Sequence, residues 1–277
     1  MSVRQHHISA AGPPPWIEVR NPAGSVTVEA VEGANLLDVR VEPLNAAAEQ
    51  LLEVVEVEVS DADPDQVDSP TRLRIAVPER RLMRTPEFAV RITTPAGATA
   101  RVAVASADVE LRGRFARTEL TGASGNLTVD EATDLELRTA SGSARAGTVH
   151  DRASIGAASG NIRLGRVDGA LKVRTASGDV SVEHVTGATS IKTATGDVTV
   201  STAAGEAVQV KTASGNVSVG VVPGLHVWLD LASASGRMTS DLDEGGADFG
   251  GRPDLTVTLR SASGDLRIGR AGAVPAV

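Results

Sequence analysis

Residues that could carry chemistry stand at fixed distances from a glycine that recurs at Gly125, Gly142, Gly160, Gly178, Gly196, Gly215, Gly236 and Gly264. Four positions before it come Thr121, Arg138, Gly156, Arg174, Lys192, Lys211, Ala232 and Arg260, and Lys172, the only other lysine, lies two positions before Arg174. Arg138, Arg174, Lys192, Lys211 and Arg260 therefore form a candidate partner-binding strip, because a row of fixed cations attracts and orients an acidic partner. The same row also reads as a solvated face, its aliphatic stems covering apolar surface and its charges discouraging edge association. Like charges about 5 Å apart repel by about 0.8 kcal/mol even in water, so an unneutralised row has a small cost.

One position after the glycine the column is Asn126, Asn161, Asp179, Asp197, Asn216 and Asp265. Carboxylates repeated at turns can bind calcium in nonapeptide rolls, but the Gly-Gly-x-Gly-x-Asp pattern of those rolls is missing. Capping of turn backbone groups accounts better for a column in which Asn replaces Asp. The Ser-Gly pairs form no Gly-x-Ser-x-Gly elbow. His6, His7, His150, His184 and His226 show no metal-ligand spacing. The expectation is a chain without catalytic residues, cofactor or metal. Trp16 and Trp228 share strand parity with polar neighbours, which makes them either rings covered by a cap or aromatic contacts of the kind that dominate interfaces.

The elements that hold these columns follow from the spacing. Successive glycines are 17, 18, 18, 18, 19, 21 and 28 residues apart. Units this short cannot bury an apolar face alone and must stack on one another as a solenoid. Five positions before the glycine the residue is always aliphatic: Leu120, Leu137, Ile155, Val173, Ile191, Val210, Leu231 and Leu259. Two and four positions after it apolar residues alternate again, as in Val180/Val182 and Val198/Val200. Period two on both sides of a turn specifies two half-buried strands per unit. Glycine suits the turn because it accepts positive φ without strain. Val167-Asp-Gly-Ala, Val185-Thr-Gly-Ala and Val222-Pro-Gly-Leu mark a second, looser turn.

With 277 residues, 41% of them hydrophobic, the chain can bury a large core; aromatic residues are only 2%, which suits a thin core of Val, Leu and Ala. It has no cysteine, and its net charge of -8 disfavours binding to nucleic-acid phosphates. Residues 1–15 read as a flexible tail ending in Gly12-Pro-Pro-Pro15, and 16–105 as a degenerate-repeat capping region in which Leu44 to Leu52 has helical spacing. The regular solenoid is expected over 106–270, with the loop Asp241 to Asp254 covering its final rung and 271–277 as a tail. The chain shows neither a secretory signal pattern nor a long apolar run, so the expected location is cytoplasmic, with peripheral membrane association through a partner.

Gly24-Ser-Val-Thr-Val28, the serial Thr-Ala-Ser-Gly-Asp-Val units and Leu229-Asp-Leu-Ala-Ser-Ala-Ser-Gly-Arg-Met238 resemble the bacterial DUF4097 or "toastrack" family, also labelled putative adhesin. The resemblance spans about residues 16–270. It implies an all-β, parallel β-helix-like stack of about 18-residue rungs with an irregular N-terminal cap, and a link to envelope-stress or membrane-associated systems without an established enzymatic activity. The resulting expectation is a rigid protein-interaction scaffold with an unidentified protein partner; a self-stacking structural protein and a carbohydrate-active solenoid are the alternatives.

Overall fold

Alternating apolar residues fold into strands along nearly the whole chain. A computed structural model describes residues 3–10, 12–60, 70–78, 85–242 and 252–272. They fall into two compact units, Met1–Arg145 and Ala146–Val277.

The first unit contains β1 (Arg4–Ser9), β2 (Trp16–Val31), β3 (Leu36–Pro43), α1 (Ala46–Glu49), β4 (Glu56–Ser60), β5 (Arg72–Ala76), β6 (Phe88–Pro95), β7 (Ala98–Ser124) and β8 (Leu127–Ser141). β2 pairs in parallel with β7 along one edge, and with β5 and then β6 along the other. β7 in turn pairs in parallel with β8. Beyond β5 and β6 the pairing becomes antiparallel, with β4 on β5, β3 on β6 and β1 on β3. The degenerate repeat thus ends a parallel stack with hairpin-like pairings. The helical spacing after Leu44 yields α1, capped by Asn45 Oδ1, which accepts from Ala48 N at 2.9 Å, and then a 3-10 turn at Leu52–Val54.

The flexible tail expected over residues 1–15 is corrected by β1. Arg4, His6 and Ile8 face inward, each half-buried, and Arg4 Nη1 donates to the Val55 carbonyl at 2.6 Å. Two polar residues on the inward parity hide the alternation that would otherwise mark a strand.

The second unit begins within β9 (Ala144–Ser159). It continues through β10 (Ile162–Val167), β11 (Ala170–Ser177), β12 (Val180–Val185), β13 (Thr189–Thr195), β14 (Val198–Ala203), β15 (Ala207–Ser214), β16 (Val217–Val221), β17 (Val227–Ser235), β18 (Met238–Ser240), β19 (Leu255–Ser263) and β20 (Leu266–Arg270). All pair in parallel. One face runs β9, β11, β13, β15, β19, β17. The other runs β10, β12, β14, β16, β20, β18. The last repeat in sequence is therefore inserted between the two before it, and β17/β18 form the outermost rung. Most of the connecting loop expected to cover the final rung, residues 243–251, lies outside the described residues.

The inward columns make the core: Val173, Ile191, Val210 and Leu259, neighbours in successive rungs, are all fully buried. Burying such side chains contributes about 1.5–3 kcal/mol each. The turn glycine has two causes. Gly178 has φ +122°, in the left-handed region, and a Cβ there would overlap the Gly160 carbonyl oxygen of the adjacent rung. At Gly142, where φ is not left-handed, the same overlap with the Gly125 carbonyl is the sole cause.

Candidate interaction surface

In the parallel register of the second unit, Arg174 stands beside Lys192, Lys192 beside Lys211, and Lys211 beside Arg260. Chain order would put Ala232 between Lys211 and Arg260; insertion of β19 removes that gap and leaves Ala232 beyond Arg260. Four cations thus occupy successive rungs at about 4.8 Å intervals. Among the described residues, no carboxylate lies within ion-pairing distance of Arg174, Lys192 or Lys211, whereas Arg260 pairs with Asp230 at 3.0 Å. Lys172 is on the same face, flanked by Ser154 and Ser190. Arg138 stands on β8 of the other unit. It lies beside Thr121 and pairs with Glu136.

The surface beside the row is flat. Ala176, Ala194, Ala213 and Ala262, two positions further along each strand, are exposed and too short to screen the cations.

The Asp/Asn column caps backbone, but across rungs instead of within a turn. The backbone N–H of Asp179 donates to Asn161 Oδ1 at 3.1 Å, that of Asp197 to Asp179 Oδ1 at 3.0 Å, and that of Asn216 to Asp197 Oδ1 at 2.7 Å. The series closes with Asp265 N on Asn216 Oδ1 at 3.0 Å and Arg237 N on Asp265 Oδ1 at 2.7 Å. Arg237 has no acceptor to offer, as befits the outermost rung. Among the described residues no three His, Asp or Glu side chains are placed to hold a metal ion. His150 lies 3.5 Å from Asp168, which Arg166 also pairs at 2.6 Å, and His7 lies 3.3 Å from Asp38.

A column that the sequence reading did not single out lies three positions before the glycine. Thr175, Thr193 and Thr212 point inward, and their hydroxyls donate to the carbonyls of Ser177, Thr195 and Ser214 at 3.1, 3.0 and 3.2 Å. Asn21 holds the equivalent place in β2. It is fully buried, and its Nδ2 donates to the Ser25 and Phe88 carbonyls at 3.2 and 3.0 Å. The serial Thr-Ala-Ser-Gly contained the signal, since a polar residue on the core parity needs a partner.

The tryptophans lie in different units. Trp16 is half-buried with the Arg72 guanidinium 5.4 Å from its ring centre, whereas Trp228 is 53% exposed. Among the described residues no helix is long and apolar enough to cross a membrane.

A family model described as Toastrack DUF4097 matches residues 75–269. The fold is similar to that of the crystal structure named as a putative adhesin from Bacteroides fragilis NCTC 9343, with 11% identity, a TM-score of 0.51, and 96% of this chain and 97% of that chain covered. A structure named as a putative lipid binding protein from Parabacteroides distasonis ATCC 8503 matches with 13% identity and a TM-score of 0.47, covering 96% of each chain. Another from the same strain, named as a putative adhesin, matches with 16% identity and a TM-score of 0.41, covering 96% of this chain and 97% of that one. No functionally curated protein matches the chain.

Proposed function

Because the chain belongs to the Toastrack DUF4097 family, we propose that it is a non-catalytic β-solenoid acting as a rigid protein-interaction scaffold, with Arg174, Lys192, Lys211 and Arg260 as the docking strip for an acidic protein partner. The observation that carries this reading is the place of Lys211 directly beside Arg260, which makes the cationic row continuous over four rungs. Side chains on a hydrogen-bonded ladder are held at fixed intervals, so a partner with carboxylates at matching spacing turns mutual repulsion into attraction without reordering the backbone. In this reading the protein works in the cytoplasm and reaches membrane-associated machinery through its partner.

The test is retention of the partner from the native host by tagged protein, with Arg174→Glu, Lys192→Glu and Lys211→Glu combined. The reading requires the retained protein to be acidic and to be lost from the triple variant; undiminished retention contradicts it.

A further inference from the structure

We infer that the second unit dimerises edge to edge, β17 of one copy pairing antiparallel with β17 of a second copy about a two-fold axis at Leu231. Among the described residues, nothing covers the core columns where they end here. Their neighbours Leu255, Val257 and Leu259 in β19 are fully buried, but Val227, Leu229 and Leu231 are only half-buried, and Met238 and Trp228 are 51% and 53% exposed. Among the described residues β17 pairs only with β19, and β18 only with β20, so no described strand occupies the outer backbone groups of either. An open strand edge is a template for another chain unless charge or a bulge guards it. β4, an edge strand of the first unit, carries exposed Glu56 and Glu58. β17 has one charged residue, Asp230, neutralised by Arg260.

The occupant is a second copy in antiparallel orientation for two reasons. A further parallel rung would forgo the cross-rung bond that the Asp/Asn column makes from Asp179 to Arg237, since the Arg237 side chain offers no acceptor. With Leu231 opposite itself, Asp230 of each copy faces Ala232 of the other, and Trp228 faces Ala234, so no like charges meet and the indole lies over a small side chain. Arg260 stands beside Ala232 on the inner side. The second copy's Asp230 then lies two strands from Arg260, across a side chain too short to screen it. Such an interface is isologous and closes as a dimer, not a filament. The sheet continues through it, so both cationic rows face the same side.

The absence of native cysteine makes the test clean. Directly opposed residues of an antiparallel pair have Cα atoms about 4.5–5.5 Å apart, within disulfide range. Leu231→Cys should therefore give a cross-linked dimer under mild oxidation, and Ala262→Cys, on the exposed face of β19, should not. Unmodified protein should sediment as a dimer. In a Trp16→Phe background, Trp228 emission should shift to the blue as concentration rises. A monomer at every concentration overturns the proposal, and blue emission independent of concentration would show that the chain covers this edge itself. Leu231→Cys cross-linking no more than Ala262→Cys overturns the two-fold register.

Discussion

Lys211 and Arg260 lie side by side on adjacent parallel strands, although a complete rung, Val227 to Ser240, separates them in the chain. Their adjacency sets the length of the cationic row, and its other end can be moved. Gly156 stands beside Arg174 in the preceding rung, and a Cβ added there meets nothing within 4 Å. Gly156→Arg should extend the row to five cations at a stability cost of no more than about 1 kcal/mol, since the new charge repels Arg174 by about 0.8 kcal/mol. Affinity for the acidic partner should rise and its salt dependence steepen. Titrations at two ionic strengths, with thermal melts of both proteins, check this.

The buried hydroxyl column separates satisfied from unsatisfied groups. Thr193 Oγ1 donates to the Thr195 carbonyl at 3.0 Å, whereas Thr139 Oγ1, in the same column of the first unit, is buried without a hydrogen-bond partner among the described residues. Thr193→Val should cost about 0.5–1.5 kcal/mol, the net worth of one hydrogen bond, since the Thr195 carbonyl keeps its bond from the Gly178 amide, and Thr139→Val should be neutral or stabilising. Denaturant midpoints of the two variants measure the difference.

The cross-rung ladder should tolerate loss of charge but not loss of the acceptor. Asp197→Asn keeps an oxygen for the Asn216 amide, while Asp197→Ala removes it and should cost about 1 kcal/mol. Because the ladder oxygens accept from backbone amides, calcium should leave the melting temperature of the parent protein unchanged. A calcium-dependent rise would contradict the capping role.

Acid should weaken one ion-pair cluster in the first unit. Burial pushes the Glu119 carboxyl up, but Arg101 at 2.6 Å and Arg117 at 2.9 Å more than offset this and leave it below its ordinary value. A depressed folded-state pKa means that the added stability is present above the unfolded value of about 4.3 and is lost as pH falls through the folded value. Glu119→Gln should lower stability at neutral pH by no more than about 1 kcal/mol. Parent and variant should converge in acid, which chemical denaturation at several pH values would show.

Much of this was legible in the chain. The turn glycines, the apolar columns and the outward cations follow from spacing alone, because every rung repeats one local solution. Rung order was not legible: nothing local to Leu255–Ser263 distinguishes insertion beside β15 from stacking beyond β17, since both neighbours present the same columns. β1 was hidden by Arg4 and His6 on its inward parity, and the threonines by the convention that polar residues face out. Arg237 in the Asp/Asn column was the one local sign that its rung is outermost.

The docking strip is the central claim, and the most direct test is the affinity of the purified partner for two variants of equal charge change. Lys192→Glu with Lys211→Glu reverses the middle of the row, whereas Arg163→Glu with Arg267→Glu alters β10 and β20 on the other face. The account predicts at least about a tenfold loss for the first pair, roughly 1.4 kcal/mol, and little change for the second. Equal losses, or none, would contradict it.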